Sequence, residues 1–336
     1  MKILHITGHL GGGIGTTVID WMATDKSHSY WLHSLDYINP LATRRMNYLD
    51  NCHHSSGELD KNDWHHLFSW ADIVVVHWWD NKLLSAWIEK PMPAARMVMW
   101  VHQNYNMNPA ITKYADRFIV TSPVIGGHWD CIKSTGNFKE FLTSSHLPQK
   151  NYSVGYVGTV HLKKIHPNFI SMCEQVDVPG IKFFVYGDNL LPQSYIKDRA
   201  RFSFMGNVEI SKYHYSLMDV FGYPLRADHY GTSELVLGEA MSAGVVPVCM
   251  NNDAERLIIK NGLTGFLCED EREYIENITY LSHKPSLRKW LGDNARQSAY
   301  ELYNIDTMIG KWNYVFGNMM ENEKRKREPV IITEAP

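Results

Sequence analysis

Two carboxylates stand alone in a stretch otherwise free of acids. Glu234 and Glu239 are the only acidic residues between Asp228 and Asp253. Glu239 opens the run Glu239-Ala240-Met241, and Ser242, Ala243 and Gly244 follow. Small residues let a helix sit close to a sheet, and Gly244 then stops it. A carboxylate near a helix N-terminus, where free amides bind anions, is placed to take both hydroxyls of a ribose. The plainer alternative is a carboxylate that only complements the helix dipole. Just upstream, Gly231-Thr232-Ser233 offers amides and hydroxyls to a phosphate or sugar. The alternative there is an ordinary N-cap by Ser233.

Further groups could do chemistry elsewhere. The loop Gly8-His9-Leu10-Gly11-Gly12-Gly13-Ile14-Gly15 follows the first apolar run and precedes a helix. Bare backbone at Gly12 and Gly13 permits close approach of a ligand, and the helix start offers N–H donors. Its spacing gives neither a GxGxxG fingerprint nor a P-loop, so it names no nicotinamide cofactor. His77 and His102 end two apolar runs, IVVVH and MVMWVH. Open α/β sheets place ligands at that end of their strands. There an imidazole orients a hydroxyl or stabilises charge on a sugar, or is simply a satisfied core residue. The pairs His53-His54 and His65-His66 are adjacent in sequence and make poor chelates. Gly158 lies near the end of the run Ser153–Val160, and Lys163 and Lys164 follow. A lysine beside such a turn suits a diphosphate leaving group, unless the pair is merely a solvated surface feature. Gly206, Asn207 and Val208 close a further run, where backbone groups can meet a base edge.

Those residues need a scaffold. Apolar runs alternate with helix-length segments: Lys2–Thr7, Tyr30–Leu35, Ile73–His77, Arg96–His102 and Phe118–Ser122, then Ser153–Val160, Lys182–Tyr186, Phe202–Met205, Val220–Tyr223, Val245–Met250 and Phe266–Cys268. Helices are expected at Gly15–Ala23, Asn81–Ile88, Pro167–Gln175, Ser211–Leu217 and Glu234–Ser242, with three more after Phe266. Alternation of this kind predicts an α/β protein with two doubly wound parallel sheets. The polar stretch SSHLPQKN sets the expected boundary. Residues 1–148 then form the first domain, 149–304 the second, 305–322 a final amphipathic helix, and 323–336 a charged tail expected to fray.

Composition excludes several classes. A chain of 336 residues with 44% hydrophobic and 21% charged content fits two soluble domains. A formal net charge of −3 argues against a general nucleic-acid footprint. No apolar run approaches the roughly 20 residues of a membrane span. The N-terminus, with one lysine and an early polar turn, does not resemble a secretory signal. The five cysteines are widely spaced and read as free thiols of a reducing compartment, so a cytoplasmic location is expected. Eleven tryptophans are many. Core packing explains most of them, while Trp78 and Trp79 are candidates for stacking on an acceptor sugar.

Together these segments resemble the family 4 retaining glycosyltransferases of the GT-B fold. HITGHLGGGIGTTV resembles the family's N-terminal loop beside acceptor and donor phosphates. VHQN around His102 resembles its histidine site near the transferred sugar. VGYVGTVHLKK resembles the start of its second domain, where Lys163 or Lys164 would hold the diphosphate. FVYGD and FMGNV resemble the next two strand ends, and NGLTGFL a later segment. SELVLGEAMSAGVVPV resembles the second half of a Glu-x7-Glu signature, and YNIDTMIGKWNYVF a last helix that crosses back to the first domain.

The resemblance implies two Rossmann-like domains with a site in the cleft, a first acceptor domain and a second donor domain. It implies hexosyl transfer from a nucleoside diphosphate sugar, such as a UDP-sugar, to the hydroxyl of a glycan or other acceptor. Configuration would be retained and no metal or other cofactor required; the chain has no DxD motif. Donor contacts would fall on Gly12, Gly13, Gly158, Gly206, Asn207, Val208, Gly231, Thr232, Ser233, Glu234 and Glu239. His102, Lys163 and Lys164 would be catalytic, and His77 and Trp78 would meet the acceptor. The signature is incomplete: its first glutamate, which touches the donor sugar in the family, should stand where this chain has Gly231. Glu239 fits the second, ribose-holding glutamate; Glu234, only five residues before it, does not fit the first, and the sugar contact passes to Gly231, Thr232 or His229. A nucleotide-sugar epimerase or hydrolase, a phage-type DNA-base glycosyltransferase and a non-catalytic nucleotide-sugar binder remain alternatives.

Overall fold

The computed structural model describes residues 1–103, 109–188 and 196–330. The chain divides into two compact units: Met1–Asn137 with Asn304–Pro336, and Phe138–Tyr303.

The first unit is built on β1 (Lys2–Thr7), β2 (Ser29–Ser34), β3 (Cys52–Ser56), β4 (Ile73–Trp78), β5 (Met92–Ala95), β6 (Met97–Val101), β7 (Arg117–Val120) and β8 (Asp130–Cys131). All but β5 form one parallel sheet in the order β3-β2-β1-β4-β6-β7-β8. The order reverses between β1 and β4, the switch point at which such sheets bind ligands. Alternate residues divide between two cores, as a pleated strand requires. Leu4, Ile6, Val74, Val76, Met97 and Met99 meet Trp64, Phe68 and Leu84 on one face. Ile3, Val75, Val98 and Trp100 meet Trp21, Trp312 and Phe316 on the other. Trp312 comes from the helix Ile305–Met320 and stacks on Trp21, with ring centroids 5.1 Å apart.

The second unit carries β9 (Ser153–Val157), β10 (Lys182–Tyr186), β11 (Phe202–Gly206), β12 (Val220–Tyr223), β13 (Val246–Met250) and β14 (Phe266–Cys268). These form a parallel sheet in the order β11-β10-β9-β12-β13-β14. Its switch point lies between β9 and β12. Strand β13 is buried at every residue, as its apolar β-branched run predicts. The helix Leu235–Ser242 ends at Gly244, whose φ is +76°. Gly292 of the helix Pro285–Leu302 rides on that turn, where an added Cβ would lie 2.2 Å from the Gly244 oxygen. Close approach of these helices therefore depends on glycine.

Several expectations need correction. Residues 138–148 fall in the second unit, not the first. Phe138 and Phe141 belong to its core, and Arg296 Nη2 donates to Ser144 O at 2.9 Å. The tail does not simply fray: β15 (Arg325–Arg327) pairs antiparallel with β5. Arg327 is buried and donates to Ala95 O at 2.8 Å and to Asp116. Lys324 Nζ donates to Phe68 O and Ala71 O, at 3.1 and 2.6 Å. The five cysteines are free. No described helix is long and apolar enough to cross a membrane.

Candidate active site

In the second unit, charged groups gather beside the switch point. After β9 the chain turns through Lys164; after β12 it runs through Arg226, His229 and Tyr230 to Glu234. Arg226 ties the two loops together, its Nη1 donating to Leu162 O at 2.7 Å and its amide to Lys164 O at 3.1 Å. Lys164 Nζ lies 3.3 Å from Glu234 Oε2 and over the rings of Tyr223 and Tyr230, 5.7 and 5.8 Å from their centroids. Tyr223 OH donates to Glu234 Oε2. His229 Nδ1 lies 3.9 Å from Glu234 Oε1, and His229 Nε2 lies 3.2 Å from Glu255 Oε2. Glu234, His229 and Glu255 are all buried.

Burial alone would raise the Glu234 carboxyl. The charges of Lys164 and His229 and the Tyr223 hydrogen bond outweigh it and hold the group below the ordinary carboxylate range. Burial likewise pulls the His229 imidazole down, but the Glu255 bond and the Glu234 charge lift it above its ordinary value. The Gly231 amide, donating to Nδ1 at 3.1 Å, works against that lift because it favours the neutral ring.

Glu234 is the one described residue other than glycine with positive φ, at 41°. L-residues enter this left-handed region at a cost. The consequence for the side chain is specific. A Cβ added to Gly231 would lie 1.6 Å from Glu234 Oε1. The Glu234 carboxylate thus occupies the room that a side chain at position 231 would need. Glycine at 231 and the strained backbone at 234 are two halves of one arrangement.

The helix Leu235–Ser242 follows directly. Glu234, not Ser233, is its N-cap residue, and no hydrogen bond from a side chain caps it. Ser233 Oγ is buried with no hydrogen-bond partner among the described residues, and so is Glu255 Oε1. Further along, the half-buried Glu239 accepts from Tyr215 OH through Oε2 at 2.8 Å. Of the two lysines, Lys163 is exposed and only Lys164 is built into the cluster. Gly158 and Gly206 end their strands with φ of +144° and +71°, and Asn207 and Val208 are exposed beyond.

In the first unit the expected residues turn inward. His77 is fully buried, its ring nitrogens 2.9 Å from His5 Nδ1 and 3.0 Å from His102 Nε2. Neither nitrogen is left for an acceptor. Trp78 and Trp79 are buried in the core with Trp64 and Trp87, so no ring face is offered to a sugar. His102 is 8% exposed, and its Nδ1 lies 3.3 Å from Ser134 Oγ. Burial pushes His102 down to about 3, so it is a neutral group and not an imidazolium that stabilises charge. Gly12 and Gly13 are exposed at the start of the helix Gly12–Thr24. His5, Tyr215, Tyr223, Arg226, Tyr230 and Glu255 are among the members that sequence reasoning missed. Among the described residues no group of three histidines, cysteines or acids is placed to hold a metal ion.

Comparison with known proteins fits this geometry. Residues 137–298 match the family Glycosyl transferases group 1. The matched stretch coincides with the second unit, and the two parallel sheets are those of the GT-B fold. A 92-residue stretch is 27% identical to the N-acetyl-alpha-D-glucosaminyl L-malate synthase of Bacillus anthracis, covering 27% of this chain and 24% of that protein. A glycosyltransferase structure from Rickettsia africae superposes with a TM-score of 0.74 at 13% identity, over 96% of this chain and 99% of the other. Anabaena Alr3699/HepE, solved in complex with UDP and glucose, gives 0.72 at 16% identity, over 95% and 100%.

Proposed function

We propose that the protein transfers a hexose from a UDP-sugar to an acceptor hydroxyl with retention of configuration, in the manner of family 4 enzymes and without a metal. The carrying observation is the Glu234 carboxylate, seated in the place of a side chain at 231 and ion-paired with Lys164. It supplies the acid that the incomplete Glu-x7-Glu signature lacks. Glu234 takes hydroxyls of the donor sugar. Glu239, steadied by Tyr215, takes the ribose. The uncapped amides of the helix Leu235–Ser242, the Ser233 hydroxyl and Lys164 take the diphosphate. Thr232 and the backbone at Gly158 and Gly206–Val208 line the nucleotide, Gly12 and Gly13 admit the phosphates, and His102 orients the sugar. In the reaction the bond from C1 to the diphosphate oxygen breaks as the acceptor oxygen bonds C1 on the same face. The acceptor proton passes to the departing phosphate. The UDP bound by the Anabaena structure supports the choice of donor.

Incubation with a panel of nucleoside diphosphate sugars tests this. Slow release of UDP and free sugar in a chelator, with the anomeric configuration kept in the NMR spectrum of the product, is expected. Epimerisation of the donor, inversion, or binding without turnover would sink the reading.

A further inference from the structure

Three imidazoles climb across the first sheet. The register partner of His5 on β4 is Val75, and His77 lies two residues beyond it. The register partner of His77 on β6 is Trp100, and His102 lies two residues beyond that. Each ring thus meets the next on the diagonal, one strand over and one pleat nearer the C-terminal edge. The contacts run His5 Nδ1 to His77 Nε2 at 2.9 Å, His77 Nδ1 to His102 Nε2 at 3.0 Å, and His102 Nδ1 to Ser134 Oγ at 3.3 Å. Successive rings are stacked, with centroids 5.1 and 5.2 Å apart.

A chain of neutral imidazoles has two self-consistent settings. Either every ring donates towards Ser134, or every ring donates back towards His5. The far end decides between them. His5 Nε2 is buried and has no hydrogen-bond partner among the described residues, in a wall formed with Trp21 and Tyr30. Donation towards Ser134 leaves a bare lone pair there. Donation the other way strands an N–H, the rarer and costlier orphan in a protein interior. A proton added at the His5 end has no outlet either, because His5 Nε2 has no acceptor among the described residues. Burial that holds His5 and His102 near 3 is consistent with rings that stay neutral.

We infer that His5 and His77 are positioning residues that fix the tautomer of His102, all three rings carrying their proton on Nδ1. His102 then presents an N–H donor on the Ser134 side. A ligand oxygen that takes the place of Ser134 Oγ must accept from it, as a sugar hydroxyl or ring oxygen does. The inference rests on the proposed role of His102 towards the sugar, but its central claim concerns the rings alone.

The test has two arms. The intact protein, labelled with 15N in histidine, is examined by NMR for one-bond and long-range couplings within the rings. The three rings are assigned through couplings across their mutual hydrogen bonds. Protonation of all three on Nδ1, unchanged from about pH 5 to about pH 8, is expected. A proton on Nε2 of any of them, or titration of any in that range, overturns the inference whatever the enzymatic reading. In the second arm, His5→Leu is expected to lower the kcat of donor hydrolysis about tenfold with KM little changed. His5→Asn, whose amide can still donate to His77, is expected to recover most of the loss. A folded His5→Leu protein with the turnover of the parent overturns it too. If the parent itself turns over no donor, the proposed function falls, and the tautomer arm decides this inference alone.

Discussion

Acidification should loosen the first unit through its buried histidines. His5 and His102 have folded-state values of about 3, against 6.5 in the unfolded chain. His77 is also held well below 6.5, by burial and by its two histidine neighbours. The unfolded chain therefore binds more protons throughout the window between those values. Stability is full above about pH 6.5 and drains away as the pH falls towards about 3. Each unit of pH inside the window costs about 1.4 kcal/mol per group. From neutrality to about pH 5, each ring therefore forfeits about 2 kcal/mol. His5 and His102 together forfeit about 4 kcal/mol, a large part of what a domain of this size has to lose.

Other groups titrate in the same range, His9 and His33 among them, and both are depressed by burial. A difference of differences removes them. Urea unfolding at about pH 7 and about pH 5 is followed by tryptophan fluorescence. Every tryptophan except Trp290 lies in the first unit, so the signal reports on that unit. His5→Leu deletes one titrating ring, so its loss between the two conditions should be about 2 kcal/mol smaller than that of the parent. Equal losses in the two proteins would refute the assignment of His5 as a buried neutral base.

Lys164→Ala should cut kcat/KM for donor hydrolysis about a hundredfold, while Lys163→Ala stays within about threefold of the parent; steady-state kinetics separate the two. Gly231→Ala sets a methyl where the Glu234 carboxylate sits, so donor turnover should fall at least about tenfold while circular dichroism reports an intact fold. Arg327→Ala takes the Arg327 donor from the carbonyls of Tyr114, Ala95 and Arg325 and from Asp116, which keeps Arg325 and the Met97 amide. Because Arg327 is buried but Asp116 is exposed, the cost should lie near the low end for a broken buried pair, about 3 kcal/mol, read from the urea midpoint.

The sequence revealed what burial dictates and hid what depends on distant partners. Strands such as β6 and β13 lie inside on both faces, so their residues must be apolar whatever their neighbours, and a local run suffices to find them. Edge strand β3, Cys-His-His-Ser-Ser, meets that demand on neither side and carries no such run. The helix Lys61–Trp70 is absent from the helices expected above, yet its signals are local. Asp60 and Asp63 form a capping box, and Trp64, Leu67 and Phe68 recur at helical spacing. At the site, a one-dimensional reading finds the lysine pair and the acid pair but cannot orient them. That Lys164 faces inward while Lys163 faces water follows from Arg226 clamping one loop to the other. His5 is a lone histidine in an apolar strand, and only the sheet register brings it to His77. The backbone of Glu234 was the least legible feature, because local preference opposes it and the carboxylate's partners impose it.

Both sheets place their polar groups beside the strand pair where their order reverses, yet they solve the problem of burial in opposite ways. The first keeps its rings neutral and chains them together, so desolvation costs little. The second buries full charges, which costs several kcal/mol per ion unless partners compensate. Lys164 and Glu234 compensate each other, and His229 bridges Glu234 to Glu255. A cluster serving stability alone would close on itself with every atom matched. This one does not, since Glu255 Oε1 and Ser233 Oγ are buried without partners among the described residues. It also strains the backbone at Glu234 to hold a carboxylate in place. Unmet polar atoms beside a strained carboxylate and an uncapped helix are costs that folding leaves unrecovered. In the proposed function the hydroxyls and phosphate oxygens of a donor meet the helix amides, the Ser233 hydroxyl and the Glu234 carboxylate, which is why the cluster is read as a site and not as a staple.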